Sequence, residues 1–499
     1  MTSLPDSIYV RFRKQASIDP KRPALVCREQ CLDYGELLQQ VNRISSVLRE
    51  NGVKPGSVVV ILLGRSVALV AAILAVNKCG AVYVPVDPAY PYERIRYMTQ
   101  DSGASLLLCD DNRVDLASRL NVDFVSLDKP LPAAADEEDV PAIANNLAYI
   151  TYTSGTTGKP KGVIIKQNGV LNVFDDIADR IEFIPFRRIL CLSTVSFDIF
   201  AIEALLPLTR GMLTVLADEY QMSHPREISR LIRHHLIDML QITPSRLELL
   251  LNDPQSALSL ANVLDVMIGG ERVSHGLIGR IRRMTHARLY NMYGPTEATI
   301  WCAYKNMMEE EEITVGTPIR NMRMFVMDGD LRPLAAGQEG ELCIAGIGLA
   351  HGYANRKELT SGKFVQSPYV DGELVYRTGD LAVMDDSGEF HCLGRMDEQI
   401  KWRGYRIELK EIEAVLLAYP GITQAVVWGE QTRNVLIATF TTDKVIQDSR
   451  LKQYLQRMLP EYMIPAVFCR VERIPLSHNG KVDRQTLMTE YRESGGMVD

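Results

Sequence analysis

The segment Tyr152-Thr-Ser-Gly-Thr-Thr-Gly-Lys-Pro-Lys-Gly162 gathers hydroxyls, glycines and lysines directly after the apolar run Leu147-Ala-Tyr-Ile-Thr151. Glycines let a backbone turn tightly and approach an anion, hydroxyls and free amides donate hydrogen bonds, and lysines balance phosphate charge. The string therefore reads as a triphosphate cradle built from Thr153, Ser154, Gly155, Thr156, Thr157, Gly158 and Lys159. Lys159 is followed by Pro160 rather than Ser or Thr, and Gly155 and Gly158 stand close together, which argues against a P-loop NTPase.

Two further strings carry suitable chemistry. In Asn291-Met-Tyr-Gly-Pro-Thr-Glu297, Tyr293 can stack on a purine, Thr296 can bond a phosphate oxygen, and Glu297 offers hard oxygen to Mg²⁺. In Tyr376-Arg-Thr-Gly-Asp-Leu381 a carboxylate follows a glycine turn, and an Asp there can accept both hydroxyls of a ribose.

These strings resemble the signature blocks of the adenylate-forming superfamily, which includes acyl-CoA synthetases and luciferases, and above all those of nonribosomal peptide synthetase adenylation domains. Ten blocks recur in order over nearly the whole chain. The rest are Leu32-Asp-Tyr-Gly-Glu-Leu37, Lys78-Cys-Gly-Ala-Val-Tyr-Val-Pro-Val-Asp87, Ser196-Phe-Asp-Ile199, Gly269-Gly-Glu271, the block Gly394-Arg-Met-Asp397 continuing as Gln399-Ile-Lys-Trp-Arg-Gly-Tyr-Arg-Ile-Glu408, Leu459-Pro-Glu-Tyr-Met-Ile-Pro465 and Asn479-Gly-Lys-Val-Asp-Arg484. The resemblance implies ATP and Mg²⁺ as cofactors, with Glu297 as the metal ligand. It places Gly269, Gly270 and Glu271 along the adenine, Asn291, Met292, Tyr293 and Gly294 at the nucleotide, Asp380 on the ribose and Arg395 beside it. Asp397 matches the hinge position. Lys481 matches the catalytic lysine, a cation that offsets the repulsion between an attacking carboxylate and the α-phosphate. Trp402 and Lys410 depart from the usual aliphatic residue and glycine beside the thioester-forming surface.

Asp198 of Ser196-Phe-Asp-Ile199 matches the carboxylate that pairs with the substrate ammonium in the amino-acid-activating branch. Branches that activate fatty or aryl acids lack it, since a buried charge needs a partner. The matching pocket positions are Asp198, Ile199, Ile202, Gln241, Met267, Gly269, Met292, Ile300, Trp301 and Lys481. An indole, two thioethers and three isoleucines fill the side-chain space, in a pattern that resembles glycine selection; alanine and N-substituted glycines stay open. The resemblance thus implies formation of an aminoacyl-AMP and transfer to the phosphopantetheine thiol of a separate carrier protein. No carrier-protein serine motif follows Arg484, so the expectation is a free-standing enzyme. The alternatives are an acyl- or aryl-CoA ligase of the same fold and a catalytically silent scaffold.

Such a site needs a rigid frame. At 499 residues the chain exceeds one hydrophobic core. Apolar runs at 58–63, 81–86, 105–109 and 189–193 read as buried strands, and 37–51, 68–79 and 225–235 as the helices between them. That alternation argues for an α/β fold with helices covering parallel sheets. The expected division is a large N-terminal domain, 1–396, of parallel-rich sheets with a small β-barrel-like subdomain, and a small mobile α+β domain, 397–499. The acidic, Pro-rich stretch 129–141 reads as a linker. Net charge of −7 gives no general attraction to nucleic acid or anionic membrane. No segment is apolar enough to span a bilayer and the N-terminus lacks a signal-peptide pattern. Nine scattered cysteines fit reduced thiols in the cytoplasm.

Overall fold

A computed structural model describes residues 6–129, 146–155, 158–307, 312–370, 372–430, 435–475 and 482–493. The expected linker falls almost wholly outside them. The apolar runs become strands Val58–Leu62, Val82–Pro85, Leu106–Cys109 and Arg188–Cys191, and the periodic segments become helices Tyr34–Glu50, Val67–Lys78 and Pro225–His234. Local chemistry sets their starts. The Asp33 carboxylate accepts from the Glu36 amide while the Glu36 carboxylate accepts from the Asp33 amide, a reciprocal cap for helix Tyr34–Glu50. Ser66 caps helix Val67–Lys78 through the Leu69 amide.

The first sheet has nine strands in the order Thr317–Pro318, Ala303–Asn306, Arg288–Tyr293, Asp265–Gly269, Met239–Ile242, Arg188–Cys191, Leu213–Leu216, Pro23–Cys27, Gln30–Asp33. Its six central strands are parallel and its ends antiparallel. A second sheet of seven strands runs from Gly352–Tyr353 to Phe124–Ser126. The central strands of the first sheet are buried on both faces, against two different cores. Met239, Met267, Tyr290 and Met292 join the larger core, whereas Leu240, Ile242, Val266, Ile268 and Leu289 join the other. Period-two alternation of a strand produces this split.

A curled antiparallel sheet, built on Met322–Met327, Glu339–Gly346, Leu374–Met384 and Phe364–Gln366 with Phe390–Arg395 alongside, forms the β subdomain. The C-terminal region carries the hairpin Gln399–Trp402/Tyr405–Glu408 and a three-stranded sheet with helices Leu409–Leu417, Asp448–Gln456 and Arg484–Glu493. Contacts divide the chain into two units, Met1–Pro88 with Thr99–Tyr152 and Gly162–Asp397, and Ala89–Met98 with Thr153–Lys161 and Glu398–Asp499. The chain thus leaves the first unit at Asp397. All nine cysteines are free thiols, and among the described residues no helix is long and apolar enough to cross a membrane.

Candidate functional site

Register assembles one wall of the site in the first unit. Gln241 pairs with Met267 across neighbouring strands, and Gly269 pairs with Met292 across the next pair. Both pairs fall on the same sheet face as the larger core, which also contains Ile199, Ile202, Ile300 and Trp301. A Cβ on Gly269 would stand 3.1 Å from the Met292 Cβ and 3.4 Å from the Trp301 Nε1, so the three residues converge and glycine leaves the gap between them. The Gln241 side chain is buried and its Nε2 has no hydrogen-bond partner.

Trp301 is delivered by a strained turn. Thr299 and Ile300 both adopt left-handed backbone, with φ of 58° and 66°. For a β-branched residue this is an outlier that surrounding structure must enforce. The Thr299 hydroxyl donates to the Gly348 carbonyl at 2.6 Å, and the Cys302 amide donates to the Tyr293 carbonyl at 2.9 Å, closing the turn. Gly294 is required inside it: a Cβ there would lie 2.4 Å from the Ile300 carbonyl oxygen.

Asp198 follows the Arg188–Cys191 strand and precedes a π turn over Ala201–Leu205. Its Oδ2 is buried without a hydrogen-bond partner. Desolvation pushes its carboxyl up to about 6, against hydrogen bonds from Thr296 and the Ile199 amide, and the nearby Glu297 charge adds to the rise. A buried acceptor of this kind calls for a cationic donor.

The residues expected at the nucleotide form a connected chain. The Tyr293 hydroxyl donates to Asp380 Oδ2 at 2.5 Å, and Arg395 Nη1 donates to Asp380 Oδ1 at 2.8 Å. Arg395 also holds Asp397 through Nε and Nη2. Gly379, at φ 77°, makes room for this: a Cβ would meet Arg395 Nη2 at 2.9 Å and Asp397 Oδ2 at 3.0 Å. Burial and the adjoining Asp380 carboxylate hold the Tyr293 phenol well above its usual range. Glu297 is fully buried and accepts from the Tyr353 hydroxyl at 2.8 Å. The Asn291 amide donates to the Thr314 carbonyl at 2.7 Å. Glu271 accepts from the Ser245 amide and hydroxyl at the start of helix Pro244–Asn252, leaving the turn at Gly270, φ 88°, as backbone. Among the described residues no group of three or more His, Cys, Asp or Glu side chains is placed to hold a metal ion.

The Gly-rich loop groups with the second unit. There the Ser154 hydroxyl donates to the Arg406 carbonyl at 2.7 Å and accepts from the Glu408 amide at 3.0 Å. The Gly155 amide donates to Glu411 Oε2 at 3.1 Å, and the other Glu411 oxygen pairs with the buried Arg94 at 2.6 Å. A Cβ on Gly155 would fall 1.9 Å from the Lys159 carbonyl oxygen, so the loop closes only with glycine there. Gly158 takes φ 80°, the Lys159 ammonium lies 5.9 Å from the Tyr97 ring centre, and the buried Thr153 hydroxyl has no partner. Thr156, Thr157 and Lys481 lie outside the described residues.

Sequence reading gave Tyr293 a ring but no role for its hydroxyl, because its partner lies 87 residues away. It also passed over Glu203, a lone carboxylate within the apolar run Ile199-Phe-Ala-Ile-Glu-Ala-Leu-Leu206. A charge in such a run is a signal, since it must find partners once buried.

Comparison with known proteins identifies the family. Residues 12–354 match the AMP-binding enzyme family and residues 411–481 match the AMP-binding enzyme C-terminal domain. The chain is 37% identical over 488 residues to Gramicidin S synthase 2 of Brevibacillus brevis, covering 96% of this chain and 11% of that protein. It is 37% identical over 494 residues to a dimodular nonribosomal peptide synthase of Bacillus subtilis (strain 168), covering 96% and 21%. It therefore spans about a tenth to a fifth of the length of these curated relatives. Among solved structures it resembles holo-AB3403, a four domain nonribosomal peptide synthetase bound to AMP and glycine, with 32% identity over 96% of this chain and 36% of that one, TM-score 0.74. It also resembles holo-PA1221, which contains adenylation and PCP domains, with 28% identity over 98% and 84%, TM-score 0.86. The chain belongs to the AMP-binding enzyme family, as an AMP-forming adenylating ligase of the nonribosomal peptide synthetase type.

Proposed function

We propose that this chain activates an amino acid, glycine by preference, as aminoacyl-AMP with release of pyrophosphate, and passes the acyl group to the phosphopantetheine thiol of a carrier protein. The observation that carries the reading is the buried, unpartnered Oδ2 of Asp198, in the same unit as the apolar wall of Met267, Met292 and Trp301. An α-ammonium satisfies that oxygen, and pairing restores the low carboxyl pKa that burial opposes. Gly269, Met292 and Trp301 leave little side-chain space. A similar structure bound to AMP and glycine adds support.

Asp380, with four lone-pair positions and two donors already engaged, still accepts a ribose diol. Tyr293 stacks on the base and Arg395 orients Asp380. The unpartnered Thr153 hydroxyl and the loop amides offer donors to phosphate oxygens. Lys481 supplies the cation between carboxylate and α-phosphate. Glu297 would hold Mg²⁺ carried by the triphosphate, and the ion would supply charge neutralisation for the leaving pyrophosphate.

The deciding experiment is amino-acid-dependent exchange of pyrophosphate into ATP across a substrate panel, followed by acyl transfer to a carrier protein or to free coenzyme A. Glycine should lead the panel and the carrier should be the better acceptor. A preference for leucine, phenylalanine or a charged amino acid would overturn the glycine assignment. Preference for coenzyme A would instead favour an acyl-CoA ligase.

A further inference from the structure

Three side chains converge where the Arg188–Cys191 strand ends and the chain departs toward Asp198. Glu203, fully buried on the π turn, reaches back and accepts the Leu192 and Ser193 amides on Oε2, both at 2.7 Å. Its Oε1 accepts the Ser193 hydroxyl at 2.7 Å. Arg65, also buried, donates from the other side to the carbonyls of Cys191 at 2.7 Å, of Ala217 at 2.5 Å, and of Ser193. Arg246 takes the Leu192 carbonyl at 2.8 Å. The amides and carbonyls of Leu192 and Ser193 therefore end on side chains, where a continuing strand would have paired them with neighbours.

The consequence is a span closed at its base. Ser193 opens the segment that ends at Asp198, and the Asp198 carbonyl accepts the Ala201 amide at 3.0 Å to begin the turn bearing Glu203. One carboxylate thus joins the residue five before Asp198 to the residue five after it. Between them the Thr194 hydroxyl donates to Asp87 at 2.6 Å, and Thr151 donates to the Ser196 carbonyl at 3.1 Å. The π turn accounts for the reach. Its extra residue per turn rotates the side chains that follow, a device found at functional sites.

We infer that Glu203 is the positioning residue for the Asp198 carboxylate: by stapling Ser193 to the turn after Asp198, it fixes where Asp198 meets the amino group. The inference rests on reading Asp198 as the partner of the substrate ammonium. Both Glu203 oxygens are taken up by the Leu192 and Ser193 amides and the Ser193 hydroxyl, so its loss should act on amino-acid recognition through Asp198 and spare ATP.

The test is pyrophosphate exchange with glycine and ATP varied separately for Glu203→Gln, Glu203→Leu, Ser193→Ala and Asp198→Asn, with thermal melts of each. Glu203→Gln keeps an acceptor for both amides and turns its nitrogen to the Ser193 hydroxyl, so its glycine KM should stay within about threefold of wild type. Glu203→Leu should raise glycine KM by about tenfold or more while ATP KM stays within about twofold. If Glu203→Leu fails to fold, Ser193→Ala decides, because it removes one bond of the staple without opening the core. It should raise glycine KM by about two- to fivefold, again without moving ATP KM. Parallel changes in both KM values, or a fall in melting temperature with neither KM altered, would overturn the inference. Asp198→Asn separates the layers: if it leaves glycine KM unchanged the ammonium assignment fails, whereas if it raises glycine KM and the staple variants do not, the positioning role alone fails.

Discussion

The Tyr293 hydroxyl stands 2.5 Å from Asp380 Oδ2, joining the ring that ends one strand of the nine-stranded sheet to a carboxylate of the β subdomain. On the proposed nucleotide reading Tyr293 stacks on the base and Asp380 accepts the ribose, and this bond would tie the two contacts together. Tyr293→Phe keeps the aromatic face and deletes only the bond. A hydrogen bond to a charged group contributes about 1.5–3 kcal/mol, so ATP KM should rise by about 10- to 150-fold if all of it is expressed in binding. An unchanged ATP KM would show that the hydroxyl contributes nothing to the nucleotide site.

Asp198 predicts an opposition between stability and activity. Its carboxyl is held near 6 in the folded protein against an ordinary value of 3.8. For an acid the sign follows directly: between those values the folded state binds more protons than the unfolded state, so stability falls as pH rises through the window. Above it the charged form costs about 3 kcal/mol, using 1.36 kcal/mol per unit. Asp198→Asn should therefore melt at higher temperature than wild type at pH 7.5 without ligand, while losing amino-acid activation. In wild type, glycine KM should climb as pH drops below about 6, where the carboxylate takes a proton. A flat profile from pH 5 to pH 8 would contradict it.

On the proposed glycine reading, Trp301 sets the size limit of the pocket. Trp301→Ala should raise activity on alanine and larger side chains relative to glycine. One added methyl is worth only about 1–3 kcal/mol, so wild-type preference for glycine over alanine should stay within roughly 10- to 200-fold. Panel measurements of kcat/KM on both proteins check this, and a variant whose ranking matches wild type would remove Trp301 from the pocket.

Ile300 offers a test of strain that cancels most other effects. Ile300→Ala and Ile300→Gly lose nearly the same packing, yet φ 66° suits glycine and penalises alanine. The glycine variant should be the more stable of the two by about 1 kcal/mol, the reverse of the usual order, as read from denaturant midpoints.

The parts of this protein legible in its sequence are those governed by short-range rules. Strand runs such as Val58–Leu62 and the capped helix Tyr34–Glu50 follow from local periodicity and Asp33-Glu36 chemistry. Asp198, Tyr293 and Asp380 could be singled out as candidates because each stands in a distinctive string, and the structure joins Tyr293 to Asp380. What escaped was pairing over distance. Glu411 meeting the Gly155 amide spans 256 positions, and the grouping of 89–98 and 153–161 with the C-terminal residues depends on such contacts. Likewise, nothing local to Glu203 says that its carboxylate turns back ten residues to Ser193, because the π turn that directs it is set by tertiary packing.

The two-sided burial of the central strands bears on how such an enzyme changes over generations. Gln241, Met267, Gly269 and Met292 face the larger core, the side of the proposed amino acid pocket, and their immediate neighbours Leu240, Ile242, Val266 and Ile268 face a separate core. Substitutions that retune recognition therefore fall on every second position, and those that hold the sheet together fall on the alternate ones. Two selective pressures can act on interleaved residues of one strand with little interference, so new preferences can arise on an unaltered frame.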